Sequence, residues 1–286
     1  MPQAYASALS EEQVRFFKAF GYLVLRQVFT SEEMAAISRE VEQAMAQQYA
    51  HKPFDGSKRH WTMMMDEETP LHASLLEDER FLKAARQLYG DDVLGVGTDA
   101  NRYVGNTNWH PDTVSLLQYG IKFAFYLQPV GADSGALRVM PGSHRFDLND
   151  PLWGPAVRAL PLEQVPAAVL AAEPGDVIGF DLRLWHASYG GGIDRRMGTV
   201  VYYHNPKTAE EVEYLRRQGE GNVNAGLKSF GPQRPFLYAR SWLANPRKNP
   251  WRQAWIARLA EVGFFAAPGV VEGGWPLDSN SGASGT

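Results

Sequence analysis

Apolar residues recur at helical spacing through the first quarter of the chain and change to strand-like runs after Gly90. Ser10 with Gln13 three residues later forms a capping box, Val14, Phe17 and Phe20 share one face, and Gly21 stands where a helix C-cap belongs. Tyr22 to Phe29, YLVLRQVF, is rich in branched and aromatic residues and predicts a strand. Thr30 or Ser31 then caps a helix with the stripe Met34, Ile37, Val41, Ala44 and Met45. A further helix over Asp78 to Tyr89 turns Phe81, Leu82, Ala85 and Leu88 inward and stops at Gly90, and the Arg59–Met65 segment reads as a joining loop. Near the end, Asn249-Pro250 begins a helix whose stripe is Trp251, Trp255, Leu259 and Val262, with Gly263 after it.

Between these helices lie VLGVGT, SLLQYGIKFAFYLQPV, ALRVM, VIGF and TVVYYHN, separated by turn chemistry such as GADSG, PGSH and EPGD. Short strands at that spacing predict an α+β, mainly β fold, with a jelly-roll (double-stranded β-helix, cupin-like) core and accessory helices at both ends. We expect one domain over 1–277: a helical part over 10–90, the β core over 91–205 and a helical extension over 206–277. The Ser/Gly-rich 278–286 tail is expected to be disordered.

Composition narrows the chemistry. Hydrophobic residues at 44% and charged residues at 21% are ordinary for a globular protein, and no apolar run reaches the roughly 20 residues of a membrane helix. The start lacks a basic n-region and an apolar h-region, so no signal peptide is expected. With no cysteine, a transition metal must be held by imidazole and carboxylate, and a reducing cytoplasm is the expected home. A net charge of −4 argues against bulk nucleic-acid binding, yet nine basic residues fall between Tyr214 and Arg258 against one acid, Glu220. That segment is either a solvated face balanced elsewhere or an attractor for an anionic small molecule.

The most informative stretch is NWHPD, Asn108 to Asp112. Strand residues two apart share a face, so His110 and Asp112 can present an imidazole and a carboxylate side by side. Iron(II) oxygenases need two histidines and one carboxylate on one octahedral face. His186, at the end of FDLRLWH, is the leading third ligand and His144 in PGSH its rival. Arg195 and Arg196 follow His186 at the start of the next strand, where a guanidinium can neutralise a carboxylate in a desolvated pocket. Trp109 and Trp185, each just before a candidate ligand, alternate to the opposite face and read as packing residues.

From LSEEQVRFFKAFGYLVLRQVFTSEEM through WHPD, FAFYLQPVGADSGALRVMPGSH and GDVIGFDLRLWHAS to the Arg-bearing strand, the chain resembles the phytanoyl-CoA dioxygenase family over about residues 9–205. The resemblance implies an Fe(II)/2-oxoglutarate-dependent oxygenase with His110, Asp112 and His186 as iron ligands. It implies that Arg196, in preference to Arg195, holds the distal carboxylate of 2-oxoglutarate, with Ser188 as a hydroxyl donor. It further implies O2 as co-substrate and release of succinate and CO2 as a C–H bond is oxidised. Asp112 stands where related halogenases carry a small residue, which favours hydroxylation or another oxidation. Tyr189-Gly-Gly-Gly192 departs from the asparagine common there in the family, so a more mobile loop is expected. Arg102, Tyr103 and Trp61 are candidate substrate contacts. Two other functions remain open, a non-catalytic jelly-roll that binds a small ligand and a nucleic-acid demethylase.

Overall fold

Two antiparallel sheets face each other, and strand alternation decides which side chains enter the space between them. The structure is a computed structural model that describes residues 8–65, 68–113, 115–145, 153–230, 238 and 240–265. Its strands are β1 (Tyr22–Leu25), β2 (His60–Met63), β3 (Leu94–Val104), β4 (Thr107–His110), β5 (Gly120–Tyr126), β6 (Leu137–Val139), β7 (Ala168–Leu170), β8 (Val177–Asp181), β9 (His186–Ser188) and β10 (Ile193–Tyr203). Six form one sheet in the order β1-β8-β5-β10-β3-β2, and four form the other in the order β4-β9-β6-β7.

The strand β5 shows the division of labour. Ile121, Phe123 and Phe125 lie in a large core with residues of the flanking helices, whereas Ala124 and Tyr126 join Leu137, Val139, Leu170 and Met197 between the sheets. The helical side of that core draws on Phe17 of α1 (Glu11–Phe20), Met34 and Ile37 of α2 (Ser31–Gln48), Phe81 and Leu82 of α4 (Glu79–Tyr89), and Trp255 and Leu259 of α8 (Pro250–Glu261). Burying that many large apolar groups, at about 1.5–3 kcal/mol each, drives the helices onto the sheet.

The expected caps are present. Ser10 and Thr30 form capping boxes with Gln13 and Glu33, Gly21 takes the left-handed conformation, and Asn249 accepts from the Trp251 and Arg252 amides. Other expectations need correction. Phe20 is exposed, so Phe17 alone anchors α1 fully. The first strand ends at Leu25, because the chain turns at Arg26–Gln27 and the Gln27 amide donates to the Asp176 carboxylate. The expected loop at 59–65 contains β2, paired with β3. Helices α3 (Pro70–Leu75), α5 (Trp153–Ala159), α6 (Ala209–Phe230) and α7 (Arg240–Ala244) were not marked individually by periodicity. The 278–286 tail lies outside the described residues. Among the described residues, no helix is long and apolar enough to cross a membrane.

Glu40 fastens α2 to α3. Its carboxylate accepts from the Leu71 and His72 amides at 2.8 and 2.9 Å and from His72 Nδ1 at 2.8 Å. Replacing Glu40 with alanine strands two amides and a fully buried imidazole, so Glu40→Ala should cost about 3 kcal/mol in urea unfolding and Glu40→Gln distinctly less. Equal stability of the alanine variant and the parent would contradict this role.

Candidate metal centre

Strands β4 and β9 are neighbours, and their register sets His110 directly opposite His186. The two imidazoles lie with ring centroids 4.4 Å apart. Asp112 sits just beyond the end of β4, in the bend after Pro111, rather than on the strand itself. Its carboxylate nevertheless reaches the histidines, and the three ligand atoms lie within 4.8 Å of one another.

Each imidazole is oriented by a backbone carbonyl. His110 Nδ1 is 2.7 Å from Asn108 O and His186 Nδ1 is 2.9 Å from Leu184 O. A carbonyl can only accept, so Nδ1 carries the proton and Nε2 presents its lone pair to the centre. Burial pushes the His186 imidazole down to about 4, helped by the neighbouring His110, so it is neutral at pH 7. Burial alone would raise the Asp112 carboxyl, but the Lys122 ammonium 2.7 Å away outweighs it and holds the group at about 2. Oδ2 meets Lys122 at 2.7 Å, and Oδ1 faces His186 Nε2 at 3.9 Å. Two imidazoles and one carboxylate oxygen on one side of an open space fit the facial donor set of mononuclear iron(II) oxygenases.

The space in front of these ligands is a cavity of about 460 Å³ lined by both sheets. On β10, Arg195 and Met197 point into it, and Tyr103, Tyr126, Phe180 and Ser188 contribute from the other strands. Arg195 is 3% exposed and donates to Gly105 O at 3.3 Å. It threads between Gly135 and Gly191, where an added Cβ would come within 2.3 Å of its Nη1. It has no carboxylate partner among the described residues.

The expectation for Arg196 is corrected. Alternation on β10 turns Arg196 outward, where its Nη1 meets Glu42 at 2.6 Å and its Nε lies 3.8 Å from Asp194. Arg102 is excluded in the same way: it stands opposite Arg196 in the register, binds Asp194 at 2.6 and 2.9 Å and covers the Phe54 ring. Tyr103 lines the metal cavity, and Trp61 lines a second cavity beyond Asp112. Ser188 is buried in the metal cavity, with its hydroxyl donating to Gly135 O at 2.7 Å. The Tyr189–Gly192 loop is held rather than loose: Arg138 donates to Tyr189 O, Gly190 donates to Asn106 Oδ1, and Gly191 backs Arg195. His144 lies away from the three ligands, near Gly21 and Leu184. Trp109 and Trp185 pack together with Val157 and Ala187.

Two cavity residues escaped the sequence analysis. Lys122 is a lone lysine inside the apolar run GIKFAFY, and such a residue needs a buried partner, so the signal was there. Arg59 lines the mouth of the metal cavity, donates to Asn101 Oδ1 and lies 4.5 Å above the Tyr103 ring. Nothing in its local sequence marks it. Much of the basic segment is balanced by the protein's own acids: Arg216 and Arg217 bind Glu213, Arg252 binds Glu77 and Arg258 binds Glu261, while Arg247 and Lys248 are exposed. The side chains of Lys228, Arg234 and Arg240 lie outside the described residues.

Donor set and family match together make this a non-haem iron, 2-oxoglutarate-dependent oxygenase. The chain belongs to the phytanoyl-CoA dioxygenase (PhyH) family, whose model matches residues 17–197. It is 25% identical over 220 residues to the ectoine dioxygenase of Bordetella bronchiseptica, an alignment covering 64% of this chain and 71% of that protein. In fold it is similar to apo EctD from S. alaskensis, with a TM-score of 0.56 and 22% identity over 72% of this chain and 81% of that one. It is also similar to SnoK, a non-haem α-ketoglutarate-dependent carbocyclase from nogalamycin biosynthesis, with a TM-score of 0.55 and 20% identity over 72% and 88% of the two chains.

The folded state holds the His186 proton less tightly than the unfolded chain does. Metal-free protein should therefore keep its full stability above about pH 6.5 and lose stability as the pH falls from there to about 4, by up to about 3 kcal/mol from this residue. Chemical unfolding of chelator-stripped protein across that window should show a shallower loss for His186→Gln than for the parent. Identical slopes would refute the buried, neutral imidazole.

Proposed function

We propose that this chain oxidises a C–H bond of a small organic molecule, using iron held by His110, Asp112 and His186 and 2-oxoglutarate neutralised by Arg195. The observation that carries the reading is a buried arginine, without a carboxylate partner among the described residues, facing the same cavity as the three ligands. Bound iron(II) with 2-oxoglutarate and O2 would supply the oxidising power, with succinate and CO2 released; the protein supplies position, charge balance and dryness.

The residues divide that work. The two carbonyl-bonded imidazoles offer fixed Nε2 lone pairs, and Lys122 keeps the outer oxygen of Asp112 occupied so that its inner oxygen faces the metal. Arg195 offers a planar fork to the distal carboxylate of 2-oxoglutarate. Ser188 can donate to the same carboxylate once its hydroxyl turns away from Gly135 O. Arg59, over Tyr103 at the mouth, adds a second positive charge that favours entry of a dianion. We read the two facing sheets as the jelly-roll core of a single oxygenase domain, because helices from both ends of the described chain share one apolar core with the larger sheet. A chain without cysteine suits a reducing cytoplasm.

Anaerobic loading with Fe(II) and 2-oxoglutarate, followed by succinate release under air, tests the assignment. Asp112→Ala should abolish succinate formation. Arg195→Ala should raise the 2-oxoglutarate requirement by about 10- to 100-fold, the value of one charge-assisted pair, and Arg196→Ala by no more than about threefold. The reverse ranking of the two arginines would overturn the role of Arg195, and normal turnover by Asp112→Ala would overturn the metal site.

A further inference from the structure

A second cavity, of about 200 Å³, shares the Asp112–Lys122 pair with the first. Both residues line both cavities, so an occupant of the smaller one sits beside the carboxylate that faces the metal. Trp61, Tyr203, Tyr238 and Phe264 supply aromatic surface there, and Thr113 and Gln118 supply polar groups. Its volume suits a small molecule.

The two cavities differ in charge. The larger one holds two guanidinium groups, Arg59 and Arg195, that form no ion pair with a carboxylate among the described residues. In the smaller one, the lysine is committed to Asp112 and the remaining charged group is an acid, Asp99. Asp99 Oδ1 accepts from Asn101 Nδ2 at 2.9 Å and from Thr199 Oγ1 at 2.8 Å. Both bonds fall on one oxygen, and Oδ2 has no donor among the described residues. A carboxylate lining the cavity with one oxygen free of protein donors can accept from an N–H or ammonium group of a bound molecule. Aromatic faces nearby suit the same kind of group. Asn101 also accepts from Arg59, so a hydrogen-bonded chain Arg59–Asn101–Asp99 fixes the carboxylate's orientation.

We propose that the smaller cavity is the substrate chamber and that Asp99 is its specificity-determining residue, selecting a small substrate with a cationic or strongly donating nitrogen group. The proposal rests on the oxygenase reading above and replaces the anionic substrate suggested by the basic 214–258 segment, in which Arg216, Arg217, Arg252 and Arg258 bind the protein's own acids.

Three probes of one shape and different charge test it: benzamidinium, benzamide and benzoate, titrated calorimetrically into Ni(II)-loaded protein with 2-oxoglutarate bound and no turnover. Benzamidinium should bind at least about tenfold more tightly than benzoate, as expected for one charge-assisted hydrogen bond. Asp99→Asn, which keeps an acceptor for Asn101 and Thr199, should bring the two probes within about twofold of each other. Asp99→Glu should restore a cation preference, which separates loss of charge from damage to the fold. Tighter binding of benzoate, an unchanged preference in Asp99→Asn, or no benzamidinium binding at millimolar concentration would overturn the proposal. Measuring 2-oxoglutarate affinity in the same samples separates the two readings. Loss of 2-oxoglutarate binding with the cation preference intact would remove the cosubstrate assignment alone, and the opposite result would remove the chamber alone.

Discussion

A lysine ammonium held against the carboxylate of Asp112 governs the interior of this protein. Lys122 enters from the middle of β5, between neighbours that face the helical core, and reaches the one acid beside two imidazoles. Two opposite charges so shielded are tolerated because each satisfies the other, and removing either would strand its partner. The pair holds the carboxylate ionised, turns its Oδ1 toward the imidazole side and lines both cavities, so the two spaces meet at the metal ligand. Lys122 also raises the charge of the ligand set by one unit, so an anionic cosubstrate meets a more positive centre than the three ligands and a divalent ion alone would present.

The sheets convert sequence parity into chemistry. On β5 and the far half of β10, residues of one parity, such as Phe123, Phe125, Val200 and Tyr202, lie in the core shared with the helices, while those of the other parity include Lys122, Tyr126, Arg195 and Tyr203 and line the cavities. The choice between Arg195 and Arg196 is the clearest case. A family pattern pointed to the second arginine, but the strand's period of two, counted back from the inward Met197, selects the first. Arg196 is then free to meet Glu42 of α2, so adjacent arginines serve different ends, one inside and one at the helix–sheet seam.

Much of the site was legible in the residues themselves: the HxD pair, a distant histidine and an arginine behind it, all in β-rich surroundings. The helix caps were legible too, because capping chemistry is local. What could not be read depended on long-range contacts. The strand at His60–Met63 exists because it pairs with β3, and the turn at Gln27 exists because Asp176 waits there. The basic segment looked unbalanced because Glu213 and Glu261 lie just outside its limits and Glu77 lies far away in sequence. Arg59 reaches the cavity only after the chain has folded over β3.

The cross-strand placement of His110 and His186 has a mechanical side. Strand β4 is the outermost of its sheet, bonded only to β9 through an irregular register. An ion gripped by one histidine from each strand, and by Asp112 just beyond, would rivet that edge shut. Occupancy of the centre and opening of the sheet's margin then become a single equilibrium, in which loss of the ion loosens the stretch of chain that must recapture it.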